Sequence, residues 1–157
     1  CVSNLVILTR PESRGHLRLR SADPMDTPII DANYLSDERD RAVLREGIRI
    51  ARGIFSQPAY DRYRGREYLP GAHCVSDEEL DEFFRQTCSV NYEAVGTCKM
   101  GHDDLAVVND QLQVHGVQGL RVVDGSVMPR ITTGDPSASI IMIAEKAADM
   151  ILQQARA

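Results

Sequence analysis

Apolar and polar positions alternate unevenly along this chain, and the pattern divides it into short elements. Leu5-Val6-Ile7-Leu8-Thr9 is a continuous apolar run of strand length, closed by the turn-rich link Arg10-Pro11-Glu12-Ser13-Arg14-Gly15. His16-Leu17-Arg18-Leu19-Arg20 alternates with period two, which predicts a half-buried strand with Leu17 and Leu19 inward. The short link between the two runs predicts that they pair as an antiparallel hairpin. Pro28-Ile29-Ile30-Asp31 forms a further extended piece after the Asp23-Pro24 break.

The period then changes. Leu44, Ile48, Ala51 and Phe55 recur at helical spacing, behind Ser36 as predicted cap and with Asp37 and Glu38 in the first turn. This helix should stop before Pro58. Arg39, Arg41, Arg45, Arg49 and Arg52 fall on its polar side among acids, which reads as a solvated face. Tyr60 to Gly71 is irregular, and its tyrosines and arginines are as compatible with a surface loop as with a substrate-side one. A second helix opens at Ser76. Ser76 and Glu79 have capping-box spacing, and Val75 and Leu80 that of a hydrophobic staple. Leu80, Phe83 and Phe84 point inward, and the helix ends near Cys88.

From Ser89 to Gly134 glycines are frequent. Only short apolar pieces appear: Val107-Val108, Leu112 to Val114, and Leu120 to Val123. Asp135-Pro136 then opens a last helix over Ser137 to Gln153, with Asp135 as cap and Pro136 at the first helical position. Ile140, Ile141, Met142, Ile143, Ala147, Ala148 and Ile151 make it apolar on nearly every side, so other structure must cover it, some of it outside this sequence.

Composition narrows the classes. The chain has 157 residues, 43% hydrophobic and 26% charged, and a net charge of −5. That acidic balance argues against a nucleic-acid partner, whose phosphates call for a basic excess. No apolar run approaches the ~18 residues of a membrane span. Cys1, Cys74, Cys88 and Cys98 form no C-x-x-C pair, which leaves zinc and dithiol chemistry unsupported and reads as reduced thiols. His102-Asp103-Asp104 is better read as solvent-exposed than as a metal trio, and His73 and His115 as structural or exposed.

Two segments carry candidate chemistry. Leu120-Arg121-Val122-Val123-Asp124-Gly125 runs a buried strand into an Asp-Gly turn, where a missing side chain would let backbone approach a ligand; it could equally be a plain strand-turn. Thr132-Thr133-Gly134-Asp135-Pro136-Ser137 places small residues at a helix N-terminus, either an anion-binding end or simply a cap.

In order along the chain, Gly96-Thr97-Cys98-Lys99-Met100-Gly101, Val107-Val108-Asn109, the run from Val114 to Pro129, and Ile141-Met142-Ile143-Ala144-Glu145-Lys146-Ala147-Ala148-Asp149 resemble the C-terminal part of the GMC (glucose–methanol–choline) flavin oxidoreductases, in their choline-dehydrogenase-like branch. Gly15 to Pro24, Pro28 to Asp31 and Asn33-Tyr34-Leu35 resemble the same family's substrate domain. The resemblance runs from Leu5 to Leu152. It implies an α+β fold, an antiparallel sheet with helices on one side, plus a strand and helix returning to an FAD-binding domain. The implied domains are residues 1–118 for substrate and 119–157 for the return.

The resemblance also implies oxidation of a small-molecule alcohol by hydride transfer to FAD. No G-x-G-x-x-G occurs, so the chain is expected to be incomplete and inactive without an N-terminal FAD-binding portion. By resemblance Asp124 and Gly125 approach the FAD ribityl-pyrophosphate, and Asp135, Pro136 and Ser137 the isoalloxazine. A helix N-terminus aimed there stabilises the negative charge of reduced flavin. Two positions depart from the family's habit. Glu93 stands where a catalytic His is usual, and Ser137 where a His or Asn is usual. Glu93 is the candidate base, since an apolar pocket raises a carboxyl's pKa, and Ser137 the candidate hydrogen-bond partner of the substrate oxygen. The alternatives are a lyase or photodecarboxylase on the same scaffold, or a non-catalytic diverged fragment.

Overall fold

The computed structural model describes residues 2–156, so Cys1 lies outside it. The chain is α+β and divides into two compact units at Val90/Asn91.

In the first unit, β1 (His16–Arg18) pairs antiparallel with β2 (Ile29–Asp31), in the register His16↔Asp31, Leu17↔Ile30, Arg18↔Ile29. The expected hairpin partner, Leu5 to Thr9, forms no strand. Its apolar side chains are accommodated another way. Val6 and Leu8 pack onto a core of Leu44, Cys74, Leu80 and Phe84, while Leu5 and Ile7 are exposed. Nor are Leu17 and Leu19 inward: they are 49% and 83% exposed, because no layer covers a face of this two-stranded sheet within the unit.

Helix α1 (Glu38–Phe55) is capped by Asp37 rather than Ser36, the Asp37 side chain accepting the Arg39 N–H. Both residues are good caps, and Asp37 lies immediately before the first helical residue. Mid-helix, Gly47 makes room for the N-terminal segment, since a Cβ there would sit 2.4 Å from Val6 Cγ1. Helix α2 (Asp77–Thr87) begins as predicted, with Ser76 Oγ accepting the Glu79 N–H and Glu79 Oε2 accepting the Ser76 N–H. The staple does not close: Leu80 is wholly buried, but Val75 is exposed.

The α1 arginines are not a uniform solvated face. Arg45 is 7% exposed, and its Nη1 donates to both carboxylate oxygens of Asp81 on α2 at 2.9 Å while Nη2 bonds Glu38. Arg52 donates to Glu67 and to the Gly71 and Cys74 carbonyls. Hydrophobic periodicity identifies the apolar face of α1, but says nothing of acids that α2 brings to its border.

Asp40 is the most buried ionisable group, 2% exposed. Its two oxygens accept the Glu12 and Ser13 N–H groups, each at 2.8 Å, stitching the turn-rich link to α1. Burial works to raise its pKa, but the Glu12 N–H and the Ser13 hydroxyl and N–H outweigh that and hold it below the usual carboxylate value. A carboxyl with a lower pKa folded than unfolded contributes stability that is full above its unfolded pKa, ~3.9, and disappears as pH falls through the folded value. Asp40→Asn should therefore cost about 1–3 kcal/mol at pH 7. In urea titrations of both proteins, that gap should shrink steadily below pH 4; a gap of constant size would contradict the charged hydrogen bonds.

The second unit has little regular structure before its helix. Val107-Val108, Leu112 to Val114 and Leu120 to Val123, expected as short strands or extended pieces, form no regular strand among the described residues, and Leu112 turns into the left-handed region at φ +61°. They make single bridges, Met100↔Val108, Val108↔Val114 and Gln113↔Arg121. Val108, Leu112, Val127, Met128, Ile143 and Ala147 form the core. Helix α3 (Ser137–Ala155) contributes Ile143 and Ala147 to it and leaves Ile141, Met142, Ile151 and Leu152 exposed. Of a helix apolar nearly all round, these residues cover one face.

Candidate functional site

The Gly96–Gly101 loop organises the site. Gly96 has φ +90°, a conformation that glycine adopts without cost, and the next turn is closed by the Lys99 N–H on the Gly96 carbonyl at 3.2 Å. The Cys98 N–H then donates to the Ser126 carbonyl at 3.0 Å, and the Met100 N–H to the Val127 carbonyl at 2.8 Å. The loop thus lies alongside a short 3₁₀ turn, Gly125–Val127. Asp124 caps that turn, its Oδ1 accepting the Ser126 N–H at 2.7 Å.

Gly125 is where the separate pieces meet. A Cβ on it would lie 3.0 Å from Ile140 Cδ1 and 3.9 Å from Val95 Cγ1. The Asp-Gly turn therefore touches both the first turn of α3 and the segment that carries Glu93. Glu93 is half-buried, and its Oε1 accepts from Asn91 Nδ2 at 3.3 Å.

At the start of α3, Pro136 occupies the cap position and is buried, and Asp135, one residue earlier, performs the capping. Its Oδ1 accepts the Ser137 N–H at 2.8 Å. Hydrogen bonding from Ser137 holds the Asp135 carboxyl below the usual carboxylate range against the effect of burial. An anion at a helix N-terminus is also favoured by the helix dipole.

Of the residues expected at the site, Asp135 and Ser137 are joined by a hydrogen bond, and Gly125 touches both the first turn of α3 and Val95, two residues from Glu93. The approach of Gly125 to Ile140 and Val95 had no signal in the sequence. The histidines lie elsewhere in their hydrogen bonding: His115 Nε2 contacts the Gly101 carbonyl at 3.1 Å, and His102 is exposed. Asp103, of the supposed metal trio, pairs with Lys99 Nζ at 2.6 Å.

These groups suit a flavin in chemistry. Asp124 is exposed and offers a carboxylate to sugar-like hydroxyls. The first turn of α3 has N–H groups that no intrahelical carbonyl can reach. Asp135 already takes one of them, so the donors left to a ligand are the N–H groups that follow Ser137.

The 3₁₀ turn, the Gly96–Gly101 loop bonded to it and the N-terminus of α3 beside it are set in an α+β chain of an oxidoreductase class. The chain belongs to the GMC oxidoreductase family, whose C-terminal model matches residues 11–144. It is similar to the oxygen-dependent choline dehydrogenase of Escherichia coli O17:K52:H18 (strain UMN026 / ExPEC), 54% identical over 142 residues, covering 90% of this chain and 26% of that protein. Among solved structures, pyridoxine 4-oxidase from Mesorbium loti superposes with a TM-score of 0.83 at 37% identity, over 90% of this chain and 28% of that one. An FAD-dependent oxidoreductase from Chaetomium thermophilum does so with a TM-score of 0.87 at 35% identity, over 94% and 26%. The chain thus spans about a quarter of the length of the relatives it matches.

Proposed function

We propose that this chain is the C-terminal part of an FAD-dependent oxidoreductase that oxidises an alcohol, with residues 1–118 serving the substrate side and 119–157 returning to an N-terminal FAD-binding portion. The observation that supports the reading is the packing of Gly125 against both Ile140, in the turn of α3 that Ser137 opens, and Val95, in the segment that carries Glu93, the two positions at which the family keeps its catalytic residues. Bound FAD supplies the hydride acceptor. Glu93 takes the hydroxyl proton of the substrate as the carbon gives up its hydride, and the Ser137 hydroxyl steadies the substrate oxygen. When FAD is bound, Asp124 and Gly125 would hold its ribityl-pyrophosphate side, and Asp135, Pro136 and Ser137 would border its ring. The organic chemistry is the cofactor's, and these residues supply position and field.

The complete enzyme, mixed without oxygen with a panel of primary alcohols that includes choline, should lose its oxidised-flavin absorbance with at least one of them. A complete enzyme that binds FAD but keeps its colour across the panel would overturn the proposal in favour of a lyase or photochemical reaction.

A further inference from the structure

We propose that the cavity between the segment 113–121 and the last turn of α3 is an oxyanion site that holds a phosphate group on Arg121. It shares no residue with the site proposed for substrate and cofactor. The cavity measures about 330 Å³ and is lined by Asn109, residues 113–121 and Gln154. No carboxylate side chain stands among those lining residues, in a chain whose net charge is −5. Arg121 is half-buried, and its hydrogen bonds within the described residues go to neutral partners alone.

Hydrogen bonding fixes which atoms are left for a ligand. Arginine can only donate, so the Gln154 atom that meets Arg121 Nη2 at 2.5 Å is the amide oxygen. Asn109 Oδ1 accepts the Gln111 and Gln113 N–H groups, at 2.9 and 3.0 Å, so its nitrogen is the atom that donates to Gln113 Oε1 at 3.2 Å. Both glutamines thus commit their oxygen within the chain and keep their NH₂ groups for something else. Arg121 Nε donates to the Gln111 carbonyl at 3.3 Å. That bond and the one to Gln154 occupy two of the five N–H groups of the guanidinium and leave three. His115 Nε2 donates to the Gly101 carbonyl at 3.1 Å and is committed there.

The loop backbone adds donors. The Val114 and Val117 N–H groups bond the Leu120 and Val114 carbonyls, whereas those of Gly116, Gln118 and Gly119 meet no acceptor among the described residues. A Cβ on Gly116 or Gly119 would touch nothing within 4 Å, so the backbone there is open to a ligand. A guanidinium, two amide NH₂ groups and uncovered N–H groups around one cavity suit an anion with several oxygens, and no acid lining the cavity competes for the cation. Phosphate presents oxygens in more directions than a planar carboxylate does, and hydrogen bonds from a charged donor to it are stronger than neutral ones.

Calorimetric titration of the complete, flavin-loaded enzyme with inorganic phosphate at low ionic strength should show saturable binding. Arg121→Gln should weaken it by about ten-fold or more, the loss of a charge-assisted contact. Gln154→Glu tests the same cation with the arginine in place. It changes one exposed side chain near the end of α3 and puts a carboxylate where the amide oxygen meets Arg121, so the cation is occupied and phosphate binding should fall as far. This second variant decides the matter should Arg121→Gln not fold. A parallel titration with acetate should give weaker binding, and acetate binding tighter than phosphate would overturn the phosphate assignment. The absence of saturable phosphate binding in the parent, or binding by either folded variant equal to the parent's, would overturn the site.

Discussion

Glu93→Gln in the complete enzyme should lower kcat for alcohol oxidation by about 10²–10⁴-fold, the usual contribution of a positioned general base. Glutamine matches glutamate in size and still offers an oxygen to Asn91 Nδ2, so the fold around residues 91–95 has no reason to change. What is lost is the capacity to take a proton. The deficit should therefore fall on kcat and on the rate of flavin reduction, with KM little altered, because the missing interaction is made as the reaction proceeds and not on binding. Rapid-mixing absorbance under anaerobic conditions measures that rate directly. A variant within two-fold of the parent would mean that the proton leaves by another route.

Leu80→Ala should lower stability by about 2–5 kcal/mol, the cost of deleting a buried leucine side chain and leaving a cavity. Leu80 has no exposed surface and packs with Leu44, Cys74 and Phe84, so it joins α1, α2 and the loop before α2. The neighbouring Arg45–Asp81 pair, fixed at 2.9 Å, limits how far α2 can settle into the gap. Reversible urea unfolding of the parent and the variant gives the difference. A loss under 1 kcal/mol would show that the helices close over the void.

Local chemistry was readable in the residues, and non-local pairing was not. The start of α2 is written in four residues, and both halves of its capping box form as Ser76 and Glu79 imply. The α1 cap was misread by one position because Ser36 and Asp37 are both capable of it. The run Leu5 to Thr9 has the continuous apolar character of a strand, yet the same run serves a segment laid on a helix, with Val6 and Leu8 down. β1 pairs with β2 and not with that run, because register is decided by contacts far apart in the chain. At the site, the family motif marked Glu93 and Ser137 singly. Nothing in either motif announced that Gly125 would pack against both Ile140 and Val95 and so bring the Asp-Gly turn to the two segments that carry them.

Gly47 carries a consequence for how the first unit comes together. A glycine inside a helix weakens it by roughly 0.5–1 kcal/mol relative to alanine, so α1 on its own is poorer than its length suggests. The bare spot is also the slot that receives Val6. Helix and strap are thereby mutually dependent: the rod is secure only once the leading ribbon is seated in its notch, and neither gains its full persistence before the other arrives.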